Sequence, residues 1–248
     1  MGVYIFNSTK EDGIMSDYDT FYNNLSQEEI DKIYDDNKRR FIEKHNLNYS
    51  NLVLINQKDD NKHKGGLYDY PDGKCIKLHD IPNEKQYSDI LMIDKDSNII
   101  LGERAGDCPI MIAYTDNLLV MTHIGATYID RLLPTDAIKA LTDEKEDPKN
   151  IKVYISPYIH NYIYDNYPIW AKSYVWKDAI TNKDNKYYID LSKAIEIQLL
   201  EMGILKENIE FSDIDTYTNP NYFSHRAYNQ GNKNKLGRHM ICAMFKDS

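Results

Sequence analysis

Apolar residues along this chain come in short blocks broken by polar turns. Val3-Tyr4-Ile5-Phe6 predicts a first strand, Leu52 to Gln57 a buried one, and Ile99 to Gly102, Ile151 to Ile155 and His239 to Phe245 three more. Ser26-Gln27-Glu28-Glu29 is a capping box that opens a helix running toward His45, with Ile30, Ile33, Tyr34, Phe41 and Ile42 on one stripe. Pro134 to Leu141 predicts a short helix. Asp190 is placed to N-cap another, whose Leu191, Ala194, Ile195, Leu199 and Met202 share a face and which Gly203 ends. Lys62 to Asp80 reads as a polar loop with turns at Gly65-Gly66 and Pro71-Asp72-Gly73, and Thr142 to Asn150 as a charged one. In the centre, Ile110 to Tyr114 and Leu118 to Ile124 flank the turn Thr115-Asp116-Asn117, the pattern of a β-hairpin.

Strands interleaved with helices predict an α/β fold of mixed (α+β) character, with mixed β-sheets flanked by helices. No linker rich in Pro, Gly or Ser divides the 248 residues, so the expectation is a single domain over 1–248. A formal net charge of −9 argues against a broad basic face for nucleic acid, while leaving room for a local basic pocket. Three cysteines, Cys75, Cys108 and Cys242, are widely spaced and odd in number, which is not a disulfide framework. No basic stretch followed by an apolar core opens the chain, and no apolar run is long enough to span a membrane. A soluble, cytoplasmic protein is expected.

The chemistry concentrates at the hairpin. Cys108 enters its first strand and His123 leaves its second, so antiparallel pairing brings a thiol and an imidazole together beside Asp107 and Gly125. Such a pair is half of a metal site or a Cys/His nucleophile pair. The plainer alternative is a buried cysteine and a strand-end histidine with its hydrogen bonds met.

Gly106-Asp107-Cys108 followed one hairpin later by His123-Ile124-Gly125 resembles the ADC…HAG core of the laccase-domain family, also called multicopper polyphenol oxidases, which includes bacterial purine nucleoside phosphorylases. The resemblance runs in order along nearly the whole chain. Asp36-Asn37-Lys38-Arg39-Arg40-Phe41 resembles an ENR segment, Ser88 to Asp94 a D-A-L-V-T segment, and Ser156-Pro157-Tyr158-Ile159 an I-G-P-x-I segment. Asp190-Leu191 through Gly203-Ile204 matches the D-L…Q-L…G-V helix. Asn219-Pro220 to Arg226 resembles P-x-x-F-F-S-Y-R, and Gly237-Arg238 the terminal T-G-R.

Several signature positions depart. Where the family has Gln-x-His-Gly this chain has Gln57-Lys58-Asp59-Asp60, so Asp59 replaces the first metal-binding histidine. Gly125-Ala126-Thr127 keeps only the glycine of Gly-Trp-Arg, Lys38 stands for the family's Arg, Asp215 for Cys and His225 for Tyr.

The resemblance implies a zinc-dependent purine nucleoside phosphorylase with adenosine deaminase side activity, acting on a purine nucleoside and phosphate. Its metal would be held by Cys108, His123 and Asp59, with His63 as the substitute for Asp59. Cys108, His123 and Asp59 are then the catalytic candidates, and Lys38, Arg39 and Arg226 the candidates for substrate phosphate. A first alternative is a metal-free Cys/His hydrolase or deamidase with Cys108 as nucleophile and His123 as base. A second is a non-catalytic relative that binds a ligand or partner. Multicopper oxidase chemistry is disfavoured, because the seven histidines include no His-x-His pair.

Overall fold

The computed structural model describes residues 2–16, 25–55, 74–83, 88–160 and 162–246. In chain order its elements are β1 (Gly2–Asn7), α1 (Gln27–Lys44), β2 (Leu52–Leu54), β3 (Cys75–Leu78), β4 (Ile90–Asp94), β5 (Ile100–Ala105), β6 (Ile110–Tyr114) and β7 (Leu118–His123). There follow α2 (Ala126–Asp130), α3 (Leu133–Asp143), β8 (Lys152–Ile155), β9 (Tyr162–Tyr164), β10 (Ile180–Lys183), β11 (Lys186–Ile189), α4 (Leu191–Glu201), β12 (Ile209–Phe211), α5 (His225–Asn229) and β13 (His239–Lys246).

Two mixed sheets stack face to face. One has the order β1-β13-β5-β2, the other β12-β8-β6-β7-β4-β3, and a small antiparallel sheet, β10-β11-β9, stands apart. Strand periodicity assigns each side chain its layer. Leu91, Ile93, Ile110, Ile112, Leu119 and Met121 of the larger sheet meet Val53, Leu101, Ala105, Ile241, Ala243 and Phe245 of the smaller one in an inter-sheet core. The intervening Ile90, Met92, Met111, Ala113, Leu118 and Val120 turn outward under α2, α3 and α4. On the opposite outer side Phe6, Ile100, Met240, Cys242 and Met244 are covered by Phe41 and Ile42 of α1. The order is therefore helix, sheet, sheet, helices. Both faces of the central strands are covered, which is why β4, β6 and β7 are nearly unbroken apolar runs.

The capping box at Ser26 and Glu29 is formed, and α1 ends at His45. Its buried Ile30, Tyr34, Phe41 and Ile42 lie on the stripe expected of it. Asp190 caps α4 by accepting the Lys193 N–H. The hairpin pairs Ile110 with His123 and Tyr114 with Leu119. Thr115 Oγ1 closes its turn by accepting the Asn117 and Leu118 N–H groups, both at 3.2 Å.

One expectation needs correction. The loop read over Lys62 to Asp80 contains β3, because Cys75 to Leu78 add as a parallel edge strand to β4. Cys75 thus packs against the core beneath the helices. Trp176 is fully buried with its indole N–H on Asp130 Oδ1 at 2.9 Å, and Trp170 lies edge-on to it. Among the described residues, no helix is long and apolar enough to cross a membrane.

Candidate functional site

Alternation along the strands brings residues from both sheets to one end of the inter-sheet layer. His123 continues the inward-facing series Leu119 and Met121 on β7, and Glu103 continues Leu101 on β5 of the opposite sheet. The crossing from β5 to β6, Gly106-Asp107-Cys108-Pro109, passes from one sheet to the other and carries the thiol. Cys108 and His123 are half-buried, and Glu103 lies beneath them with only 5% of its surface exposed.

The thiol and imidazole stand side by side, the meeting that the hairpin predicts. A Cβ built at Gly125 would lie 2.9 Å from Cys108 Sγ and 3.8 Å from His123 Nε2. The absent side chain is thus the space on which sulfur and nitrogen converge. On the other side of the ring, His123 Nδ1 is 3.9 Å from Glu103 Oε1. Burial by itself would push the imidazolium down, but hydrogen bonding and charge from Cys108 and Glu103 outweigh it and hold the pKa up at about 10.

Asp89 stands just before β4, on the strand paired with β7, and its charge acts on both His123 and Arg131. It is 2% exposed, and burial, partly offset by those two cations, raises its carboxyl to about 6. Its backbone carbonyl accepts the Thr122 hydroxyl at 2.8 Å.

Asp107, adjacent to the thiol, anchors the crossing. Its Oδ1 accepts the Thr216 hydroxyl at 2.8 Å, its Oδ2 accepts the Arg226 backbone N–H at 2.7 Å, and its carbonyl accepts the Ile159 N–H at 3.0 Å. The Arg226 guanidinium lies 4.6 Å from the ring centres of both Tyr162 and Tyr164, and donates to the Ile163 carbonyl at 2.8 Å. Tyr162 lies within electrostatic range of Cys108. Cys108, His123 and Arg226 therefore share one neighbourhood.

Lys38 and Arg39 sit on α1, which packs on the outward face of the smaller sheet, opposite to Glu103. Both approach Asp35, Lys38 at 4.0 Å and Arg39 at 3.6 Å, and Arg39 also stacks on Tyr49. Asp59 and His63 lie outside the described residues. Glu103 was not singled out from the sequence. The signal for it is a charged residue inside the apolar strand Ile-Leu-Gly-Glu-Arg-Ala.

A family model described as multi-copper polyphenol oxidoreductase laccase matches residues 4–246. The chain belongs to this family. Solved structures share its fold. The YlmD protein of Geobacillus stearothermophilus superposes with a TM-score of 0.71 at 18% identity, covering 99% of this chain and 93% of that one. The hypothetical protein YfiH of Bacillus licheniformis gives 0.70 at 19% identity, covering 98% and 93%. The Neisseria meningitidis protein NMB0706 gives 0.70 at 12% identity, covering 99% and 95%. No curated protein matches the chain. These likenesses are likenesses of fold.

The donors fit a metal in part. A soft sulfur and an imidazole nitrogen converge over the Gly125 space, and a carboxylate behind the imidazole is a common outer partner of a metal-binding histidine. Among the described residues, no three His, Cys, Asp or Glu side chains are arranged to hold a metal. A complete set needs a third donor.

Proposed function

We propose that this protein is a purine nucleoside-processing enzyme, phosphorolytic first and adenosine-deaminating second, centred on Cys108 and His123. The observation that carries the proposal is the convergence of Cys108 Sγ and His123 Nε2 on the space left by Gly125. Membership of the family supports the substrate class. Cys108 and His123 would hold zinc, with Asp59 or His63 as third donor. When bound, zinc supplies a Lewis acid able to polarise an attacking oxygen or bring a water's pKa to about 7.

The chain's own residues supply the rest. Tyr162, in the neighbourhood of Cys108, offers an aromatic ring for a purine. Arg226 is the cation assigned to phosphate, and the two tyrosine rings and the Ile163 carbonyl restrict its guanidinium. Asp107 keeps the loop bearing the thiol in register with the start of α5.

Adenosine and inosine turnover with and without phosphate, alongside metal analysis of the purified protein, tests this reading. Phosphate-dependent release of free base with stoichiometric zinc is the expected result. No turnover of either nucleoside would sink it and leave a binding protein.

One observation favours a second reading. Cys108, His123 and Glu103 follow one another as thiol, imidazole and carboxylate, the order of a nucleophile, its base and the group that orients the base. Loss of activity toward an amide or ester after iodoacetamide, in protein free of zinc, would select that metal-free hydrolase.

A further inference from the structure

We infer that Glu103 is a positioning residue that reaches across the inter-sheet layer to hold the His123 ring with Nε2 turned toward Cys108. The inference rests on Cys108 and His123 as the reactive pair.

The argument begins with the cost of the residue. Glu103 pairs with Ile241 on β13 and points into a layer otherwise built from apolar side chains. Its Oε1 accepts the N–H of Arg104 at 2.7 Å, while Oε2 has no hydrogen-bond partner among the described residues. A buried carboxylate with a bare oxygen is unfavourable by itself, and an apolar side chain of similar size would suit the layer better.

What the carboxylate faces explains its presence. Among the described residues, the only cationic group within ion-pair range of Glu103 is the His123 ring, at Nδ1. The two ring nitrogens are thereby distinguished: Nδ1 looks back into the core at Glu103, and Nε2 looks out toward the Gly125 space and the sulfur. Asp89 also acts on His123, but shares its field with Arg131. The two sheets thus supply separate parts of the pair's support: β7 carries the ring, and β5 of the opposite sheet fixes its rotation.

Alkylation of the full chain by iodoacetamide, with and without chelator, reads the pair without any nucleoside, so its outcome is independent of whether nucleosides are turned over. Cys242, fully buried on β13 and paired with Gly102, is an internal reporter of structural damage. With chelator present, so that no metal shields the thiol, Glu103→Leu is expected to slow carboxymethylation of Cys108 about 10-fold or more while Cys242 stays protected. Glu103→Gln, of nearly the same shape and still offering an acceptor oxygen to Nδ1, is expected to recover much of the rate. Glu103→Met, as apolar as leucine and closer to glutamate in length, takes the place of the leucine variant should that one not fold. Equal Cys108 rates in wild type and the apolar variant, or Cys242 becoming labelled in Glu103→Gln, would overturn the inference.

Discussion

Asp107 and Arg226 are joined through the main chain of the arginine: the Asp107 carboxylate accepts the Arg226 backbone N–H at 2.7 Å, leaving the guanidinium free to lie against two tyrosine rings. The second carboxylate oxygen accepts the Thr216 hydroxyl at 2.8 Å, so one buried side chain ties the thiol-bearing loop to two places late in the chain. Asp107→Ala is expected to cost about 3 kcal/mol of stability, because two buried donors lose a charged acceptor. Asp107→Asn should cost less. Urea unfolding of the two variants checks the order, and equal stability of Asp107→Ala and wild type would refute the anchoring role.

Gly125 is required by space rather than by backbone angle, since its φ is −59°. Gly125→Ala would place a methyl group 2.9 Å from Cys108 Sγ and push the sulfur away from the imidazole. A displacement on the order of 1 Å at a reacting centre costs about 100-fold in rate. Nucleoside turnover should fall by about that factor, while far-ultraviolet circular dichroism stays that of the wild type. Full turnover in the variant would mean that chemistry happens elsewhere.

Asp59 bears on the metal. If it occupies the family's first histidine position, Asp59→His restores an imidazole donor and lowers the ligand charge by one. Zinc affinity, measured by competition with a chelator, is expected to rise, and deamination at neutral pH with it. No gain in affinity would assign the third donor to another residue, with His63→Ala as the next variant to measure.

His239 gives the fold a pH dependence. The ring is fully buried, edge-on to Tyr222, with both nitrogens unpartnered among the described residues. Burial first, then the charges of Arg238 and Lys235, lower its pKa to about 3. The unfolded chain therefore takes up this proton near pH 6.5 and the folded chain does not. The contribution of His239 is intact above about 6.5 and is lost as pH falls toward about 3, at most about 1.4 kcal/mol per pH unit.

Asp89 works the other way: its folded pKa of about 6 exceeds the unfolded value, so its contribution is present at low pH and lost as pH rises through about 6. His239→Leu isolates the histidine. Its loss of stability between about pH 7 and about pH 5 should be smaller than that of the wild type. An identical loss in both proteins would show that His239 does not titrate on unfolding.

Much of the scaffold was legible because local rules and tertiary demands agree there. The Ser26–Glu29 box and the Ile30-to-Ile42 stripe specify α1, and Asp190 with Gly203 brackets α4. The hairpin was equally readable, since a three-residue polar turn between apolar runs leaves the chain little choice. The small sheet was not. Ile180–Lys183 is mostly exposed and polar, and its pairing with β11 depends on neighbours distant in sequence. Short α2 and α5 carry too few turns to display a helical period.

The sequence alone determined that a thiol and an imidazole would meet, because both lie at the same open end of one hairpin and local pairing suffices to join them. It could not determine what stands behind the imidazole. Ile-Leu-Met-Ile and Leu-Leu-Val-Met are apolar at every position, and such runs hide which alternate residues face the other sheet. Only the stacking of two sheets, the smaller made of strands from both ends of the chain, turned Glu103 toward His123 and left the outward face of that sheet to α1. The physical reason is that strand pairing is a contest of local hydrogen bonds, whereas the parity of a strand is settled by where its neighbours bury their apolar surface.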